Sequence, residues 1–517
     1  MNIERRSLLK GIGGLAVASA FGGCRSPYGF HCARTALKGD KLKFGVIGAG
    51  GKGFSDWTMM FEHGELPVAI CDVDSREIDK ALAYLNKKGF DTSSIALYSD
   101  YRKMLDDQSK LQLDMVNVST PDHMHAAQAI SAMKLGINCY VQKPLVRTLW
   151  EVDYFNKVAK STGAIVQMGN QGSAAHGHRR HVELLQKGLI GDITEVYVWT
   201  DRPVWLQGNI AKKLATGSSS HAPASLDWNS WLGTAADRPY PADRSPDLPW
   251  PKNVGEYGKL FPGVFHRFNW RGFYDFGAGA FGDMACHTMN LPFRGAELGT
   301  PLSAECVYQE ELNDLAYPTR SHVKVVYASR KSRVRSGVTL PETVVHWYDG
   351  RMLPSDVEKI APMMKALSAD PLNGCVLVGT KGMLASLDAY GIDCVVMLNG
   401  EKAPVNTKDR EDCRESVVAP YIPRRKGTTT DIFKDTNREQ VFELCEAIRG
   451  EGPVFADTHS RCFSDVDYAV PIMEGMLIGC MAQRVPGKLN WDSANQMFDN
   501  RTANEFIRPH IRGGWEF

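Results

Sequence analysis

The chain has 517 residues, enough for two or three domains with sizeable cores. Lys and Arg number 60 and Asp and Glu 59, so there is no electrostatic case for a nucleic-acid partner. The 12 cysteines are scattered without Cys-x-x-Cys pairs or zinc spacing, so no metal site is expected, and no later apolar run reaches the ~20 residues that span a bilayer.

The chain opens on Arg5-Arg6-Ser7-Leu8-Leu9-Lys10, a twin-arginine segment, followed by small residues over 11–23. That run is too short to cross a membrane and reads as an export signal. Ala18-Ser19-Ala20 offers a peptidase site, and Phe21-Gly22-Gly23-Cys24 resembles a lipobox that would leave Cys24 lipidated. Residues 1–24 are therefore read as a twin-arginine signal with a lipobox, and 25–40 as a linker. The expected location is periplasmic, or membrane-anchored through this segment alone. The twin-arginine route carries folded proteins, often with a cofactor inside.

Phe44 to Ile47 is an apolar run that reads as a buried parallel strand. Gly48, Gly50 and Gly53 follow in Gly-x-Gly-x-x-Gly spacing, with Gly51 inside the same turn. Gly48 permits the tight turn, Gly50 lets backbone approach a pyrophosphate, and Gly53 lets the next helix pack on the strand. A second strand, Leu66 to Asp72, ends in an acid placed for ribose hydroxyls. Together these predict dinucleotide binding. Asp72 favours NAD, because a carboxylate repels a 2′-phosphate. Arg76 keeps NADP as the alternative.

The alternation continues with strand Met115–Thr120, helix His123–Leu135, strand Asn138–Val141, helix Thr148–Ser161 and strand Ala164–Gln167. This rhythm predicts an α/β fold whose N-terminal Rossmann domain, 41–167, is a doubly wound parallel sheet. Ligands in such sheets sit beyond the carboxyl ends of the strands. Those ends carry Gly48, Asp72, Thr120-Pro121-Asp122 and Gln142-Lys143-Pro144.

After residue 170 the texture changes, and 168–517 reads as a substrate-binding and oligomerisation domain. A helix is expected over His176–Lys187 and strands at Glu195–Thr200, Ser303–Gln309, Val323–Ala328, Thr343–Tyr348, Gly374–Val378 and Gly391–Leu398. Ser464–Ala482 reads as a helix. Residues 202–275, rich in Pro, Gly and Trp, are expected to form long loops, and 408–426 a surface excursion. His176, His178 and His181 do not share one helix face and read as surface residues. Cys71, Cys139 and Cys394 sit in apolar runs and read as buried thiols. Asp283 and His287, four apart, share a helix face.

The motifs Gly48-Ala-Gly-Gly-Lys-Gly53, Asp72, Ser119-Thr-Pro-Asp-His-Met-His125, Lys143-Pro144 and Gly279-Ala-Phe-Gly-Asp-Met-Ala-Cys-His287 resemble the Gfo/Idh/MocA oxidoreductases. The resemblance covers nearly all of 41–517. Gly169-Asn-Gln-Gly172, Leu226-Asp-Trp-Asn-Ser-Trp-Leu-Gly233 and Arg512-Gly-Gly-Trp515 resemble an exported bacterial subgroup. It implies a C-terminal α/β domain on a large, mostly antiparallel sheet, bound NAD or NADP, chemistry at sugar or cyclitol carbons, and a homo-oligomer.

The resemblance also assigns roles. Lys143 reaches nicotinamide and the substrate hydroxyl, as general base or as a donor that polarises a carbonyl. His287 is acid/base partner to the substrate hydroxyl, and Asp283 orients substrate or imidazole. Thr120, Pro121 and His125 line the nicotinamide ribose. Asn170, Gln171, Trp205 and Trp270 are candidate substrate contacts, the tryptophans because sugar rings stack on aromatic faces. Gln142 stands where the family has Glu, which removes a negative charge beside Lys143. Two activities are expected from this set: hydride transfer on a sugar or cyclitol, or redox-neutral glycoside cleavage by oxidation and elimination. The intact Lys143-Pro144 sets the chain apart from the family's N-acetylgalactosaminidase branch.

Overall fold

The computed structural model describes residues 26, 28–244, 259–367, 371–424 and 432–517. The expected export signal over 1–24 lies outside these residues, as do 425 and 426 of the expected surface excursion. Strands β1 (Lys43–Ile47), β2 (Leu66–Cys71), β3 (Ala96–Tyr98), β4 (Met115–Val118), β5 (Asn138–Val141) and β6 (Val166–Met168) form one parallel sheet in the order β3-β2-β1-β4-β5-β6. β4 and β5 are buried at every position, as strands covered on both faces must be. The order reverses between β1 and β4, which opens a crevice at their carboxyl ends.

Helices α1 (Lys52–Glu62), α2 (Ser75–Lys87), α3 (Asp122–Lys134) and α4 (Leu149–Thr162) connect these strands. Helix α4 starts where Thr148 and Glu151 cap each other: Thr148 Oγ1 accepts from the Glu151 amide and the Glu151 carboxylate accepts from the Thr148 amide at 2.8 Å. A later helix, Ile432–Ile448, packs against α1. Its Val441, Leu444 and Ile448 share a core with Phe44, Trp57, Ile70 and Leu85. The first sheet is thus finished by chain some 270 residues beyond β6.

The second sheet has ten strands. In chain order they are β7 (Ile193–Thr200), β8 (Pro301–Glu310), β9 (Arg320–Tyr327), β10 (Thr343–Asp349), β11 (Asn373–Gly379), β12 (Gly382–Ser386), β13 (Cys394–Leu398), β14 (Val405–Asn406), β15 (Lys488–Asp492) and β16 (Met497–Phe498). Their spatial order is β14-β13-β12-β11-β7-β10-β9-β8-β15-β16. Only the β7–β10 pair is parallel, so the sheet is the mostly antiparallel one expected. Helix Val466–Arg484 lies on β8 and β9. Among the described residues no helix is long and apolar enough to cross a membrane.

Three expectations change. The described part of 202–275 is not only loop. It holds short helices Gly208–Ala215 and Trp228–Leu232 and its own apolar cluster, including Trp231, Phe265, Phe273 and Phe276. This segment docks on the first sheet, where the Asp227 amide donates to Val73 O at 2.8 Å. His176 is exposed, but His178 and His181 are buried. The ring of His178 bonds Tyr390 O, and that of His181 bonds Gly391 O and Thr407 Oγ1. Their helix is sandwiched rather than superficial, which histidine spacing alone does not reveal. Residues 28–40 run along the first domain, with Ala33 and Arg34 amides donating to Thr162 O and Gly136 O. Cys71, Cys139 and Cys394 are buried thiols, as expected.

Candidate active site

A cleft of about 1310 Å³ runs along the carboxyl ends of the first sheet. Its phosphate end is built by glycine. Gly48 has φ +88°, and a Cβ there would lie 2.6 Å from Ser119 O. A Cβ on Gly50 would lie 2.6 Å from the Glu77 carboxylate, and one on Gly53 2.0 Å from Gly48 O. Gly48, Gly50 and Gly51 face the cleft, whereas Gly53 sits at the helix–strand contact. No side chain caps α1, so its first amides are free for an anion. Trp57 Nε1 pins the turn through Ala49 O at 3.0 Å.

Asp72 faces the cleft from the end of β2. Its carboxylate accepts from the Ala49 amide at 2.7 Å and the Asp74 amide at 2.9 Å. Burial outweighs these bonds and raises its pKa to about 6. Arg76 forks onto Asp74 at 2.9 and 2.6 Å, so the cation that kept NADP in contention is committed to a neighbouring carboxylate. The glycine cradle, the uncapped helix and Asp72 together fit NAD.

At the other end Lys143 Nζ donates to Asp283 Oδ1 at 2.8 Å and to Asp283 O at 3.0 Å. Arg271 Nε donates to the same Oδ1 at 3.2 Å. Burial alone would raise the Asp283 pKa, but the charges of Lys143 and Arg271 prevail and hold it far below the usual carboxylate range. His287, one turn along the helix Gly279–Thr288, is pushed down to about 3 by burial and by Lys143. It is therefore neutral at physiological pH, and its buried Nδ1 has no hydrogen-bond partner among the described residues. Lys143, Asp283 and His287 all line the cleft.

The departure at Gln142 has a structural counterpart. Gln142 Nε2 donates to Asp56 Oδ2 at 2.9 Å, and its Oε1 accepts from the Lys143 amide at 3.2 Å. Asp56, fully buried on α1, also accepts from Lys52 and from Ser119 Oγ. The carboxylate absent at position 142 is thus present at position 56, and the amide lets the two side chains meet. Sequence reading did not single out Asp122. It follows Thr120 and Pro121 on the cleft wall, and its Oδ2 accepts from the Ala278 amide at 3.1 Å. Burial, reinforced by Asp283, lifts its pKa to about 8 against the pull of Arg271 and Lys143. Its position at the end of β4, beside Thr-Pro, was the available signal.

Gln171 and Trp270 line the cleft as expected. Arg271 lies 4.3 Å over the Trp270 ring, and Gln171 Nε2 donates to Tyr390 Oη at 3.4 Å. Tyr390, a cleft residue the sequence reading missed, sets its ring edge-on to His287 at 5.3 Å. Three expected contacts are corrected. His125 is buried off the cleft, its ring nitrogens 2.7 and 2.8 Å from Pro144 O and Thr120 O, where it ties the two ligand loops together. Asn170 is fully buried, its Oδ1 bonded to Gln440 of the late helix. Trp205 is buried and bonded to Gln207 Oε1, off the cleft wall. In each case residue type and neighbourhood were right for a ligand, but the side chain points into the protein. Among the described residues His63, Glu65 and Cys445 bring ligand-type atoms within 4.8 Å. Arg449 already takes the Glu65 carboxylate at 2.7 Å.

Residues 42–170 match the Gfo/Idh/MocA family model, described as an oxidoreductase family with an NAD-binding Rossmann fold. A glycosyl hydrolase family 109 protein of Shewanella sp. (strain W3-18-1) is 30% identical over 162 residues, 31% of this chain and 34% of that protein. An alpha-N-acetylgalactosaminidase of Shewanella oneidensis is 28% identical over 162 residues, with the same coverage. The match thus spans about a third of the length of these curated relatives. Among solved structures, an inositol dehydrogenase homolog of Azotobacter vinelandii complexed with NADH and myo-inositol is similar at TM-score 0.54 and 14% identity, covering 89% of this chain and 99% of that one. The WlbA dehydrogenase of Bordetella pertussis, in complex with NADH and UDP-GlcNAcA, is similar at TM-score 0.55 and 15% identity, covering 88% and 99%. At these identities the likeness is one of fold.

Fold and cleft define a Rossmann-type parallel sheet joined to a ten-stranded mixed sheet, with a cleft at the strand ends that fits a dinucleotide. Over residues 42–170 the chain carries a domain that the Gfo/Idh/MocA model matches, and that domain is of the NAD-binding Rossmann kind.

Proposed function

We propose that the protein oxidises or reduces a sugar or cyclitol carbon in the cleft between Lys143, His287 and the coenzyme site. The observation that carries this is the Lys143–Asp283 ion pair beside a neutral His287 whose Nδ1 is unpartnered among the described residues. NAD supplies, when bound, a hydride acceptor beside the substrate carbon. Lys143, held by Asp283, presents a charged donor to the substrate oxygen. His287 Nδ1 accepts the hydroxyl proton. Asp283 stays anionic and keeps the ammonium aimed. Trp270 and Tyr390 wall the carbohydrate. The same proposal has residues 1–24 direct export and the coenzyme stay bound through turnover, with a second carbonyl substrate restoring its oxidised form.

A second reading is favoured by the glycosyl hydrolase family 109 relatives. Here the same cluster oxidises a sugar carbon, removes the proton acidified by the new carbonyl, and lets the glycosidic bond break by elimination before hydride returns. One assay separates the two. Purified protein is incubated with sugars, cyclitols and aryl glycosides while reduced-nicotinamide fluorescence and aglycone release are followed together. Net reduced coenzyme supports the first reading. Aglycone release without net reduction supports the second. Silence across the panel contradicts both.

A further inference from the structure

Residues 511–517 carry a motif, Arg512-Gly-Gly-Trp515, that the chemistry above does not use. The segment is fastened across the cleft. Its first anchor is Arg512, whose amide donates to Thr234 O at 3.0 Å while Nε and an Nη reach Gly233 O and Asn229 O at 3.1 and 2.7 Å. Those carbonyls end the short helix Trp228–Leu232, whose Ser230 and Trp231 line the cleft. Gly514, at φ +80°, then turns the chain so that the Trp515 amide returns to Arg512 O at 3.0 Å.

The second anchor is Trp515, buried to 4% exposure. The Arg102 guanidinium lies 3.8 Å over its ring and donates to Gly514 O at 2.5 Å. Arg102 is itself held by Asp100, at 3.0 Å through Nε and 2.7 Å through an Nη. A third contact sets Phe517 against Trp150 and Tyr154 of α4. Trp515 lines the cleft together with Ser99, Asp100 and Tyr101.

These residues follow β3, on the far side of β2 from the phosphate turn. Lys143 and His287 lie on the opposite flank, past β4. A dinucleotide that places its pyrophosphate on Gly48–Lys52 and a ribose at Asp72 therefore directs its adenine towards Trp515. We propose that residues 511–517 are a strap that closes the adenosine end of the cleft, with Trp515 as its wall, so that NAD leaves only when the strap undocks. The device makes NAD a resident group. It rests on NAD occupying the cleft and is independent of which carbohydrate is turned over.

The test measures coenzyme loss without turnover. Wild type, Trp515→Ala, Arg512→Ala and Asp72→Ala are loaded with NADH, checked for native far-ultraviolet circular dichroism, and chased with excess NAD while bound-NADH fluorescence is followed. Release at least tenfold faster from Trp515→Ala and Arg512→Ala than from wild type supports the strap. Release within twofold of wild type from both overturns it, provided Asp72→Ala still weakens binding. If Asp72→Ala binds NADH as wild type does, the coenzyme placement itself fails, and the strap with it. Arg512→Ala removes two side-chain hydrogen bonds and leaves the Trp515 ring in place, so it carries the test if Trp515→Ala does not fold.

Discussion

Gln142 Nε2 and Asp56 Oδ2 lie 2.9 Å apart, and this bond couples the helix behind the phosphate turn to the loop that carries Lys143. It joins the two halves of the coenzyme site within one network, in which Asp56 and Gln142 are buried and Lys52 and Ser119 half-buried. A glutamate at 142 would set two buried carboxylates against each other, with Lys52 the only cation bonded to Asp56 among the described residues.

Gln142→Glu should therefore destabilise the protein by about 1–3 kcal/mol, the usual cost of an uncompensated buried polar group. Adding Asp56→Asn should recover most of that loss. Denaturant unfolding of the single and double variants checks this. A single variant as stable as wild type would remove Asp56 as the counterpart of the missing glutamate.

Lys143→Ala should keep NAD bound and lower turnover by roughly 10²–10⁴, the scale of a lost acid/base or polarising group. Arg271 still bonds Asp283, so the fold should survive. Nucleotide content after gel filtration and kcat are the paired readouts. Normal turnover would displace Lys143 from the chemistry.

Coenzyme preference should follow Asp72 and not Arg76, which is forked onto Asp74. Asp72→Ala should reduce the preference for NAD over NADP at least about tenfold, or ~1.4 kcal/mol. Arg76→Ala should leave that ratio within about twofold of wild type, less than ~0.5 kcal/mol. Dissociation constants for both nucleotides decide it.

Stability should respond to pH in opposite senses at two carboxyls. Asp122 rises to about 8 in the fold, above the unfolded value of about 4. The folded state therefore holds its proton more tightly, and the stability this contributes is lost as pH climbs from about 4 to 8. Asp283 is depressed in the fold, so its contribution is present above about 4 and is lost as pH falls below that. Asp122→Asn should lessen the loss between pH ~4 and ~8, to which the raised Asp72, Asp349 and Asp465 also contribute, and leave the acid limb in place. An unaltered profile in denaturant titrations across pH would contradict the burial of Asp122 as the cause.

Much of this arrangement could be read from local pattern. The apolar runs of β1, β4 and β5 are short and end in Gly48, Thr120 and Lys143, so both strand and ligand loop announce themselves within a few residues. Asp283 and His287 share a face by helical spacing alone. Contacts between distant segments leave no such trace. The late helix Ile432–Ile448 covers α1, Asp56 answers Gln142, and Trp515 meets Arg102, each across a separation that no window spans. Side-chain direction was the other blind spot. Asn170 and Trp205 lie beside cleft residues yet point inward, and His125 spends its ring on two carbonyls.

With NAD bound beside Lys143 and His287, a substrate carbon would give up hydride to it under either proposed activity. Rapid mixing of the NAD-loaded protein with a turned-over carbohydrate, followed by reduced-nicotinamide fluorescence, tests it most directly. Reduced coenzyme should rise transiently under either proposed activity, more slowly when the reacting carbon bears deuterium, and the rise should be strongly suppressed in His287→Asn. Product formation with no reduced coenzyme at any time, and no isotope effect, would contradict it.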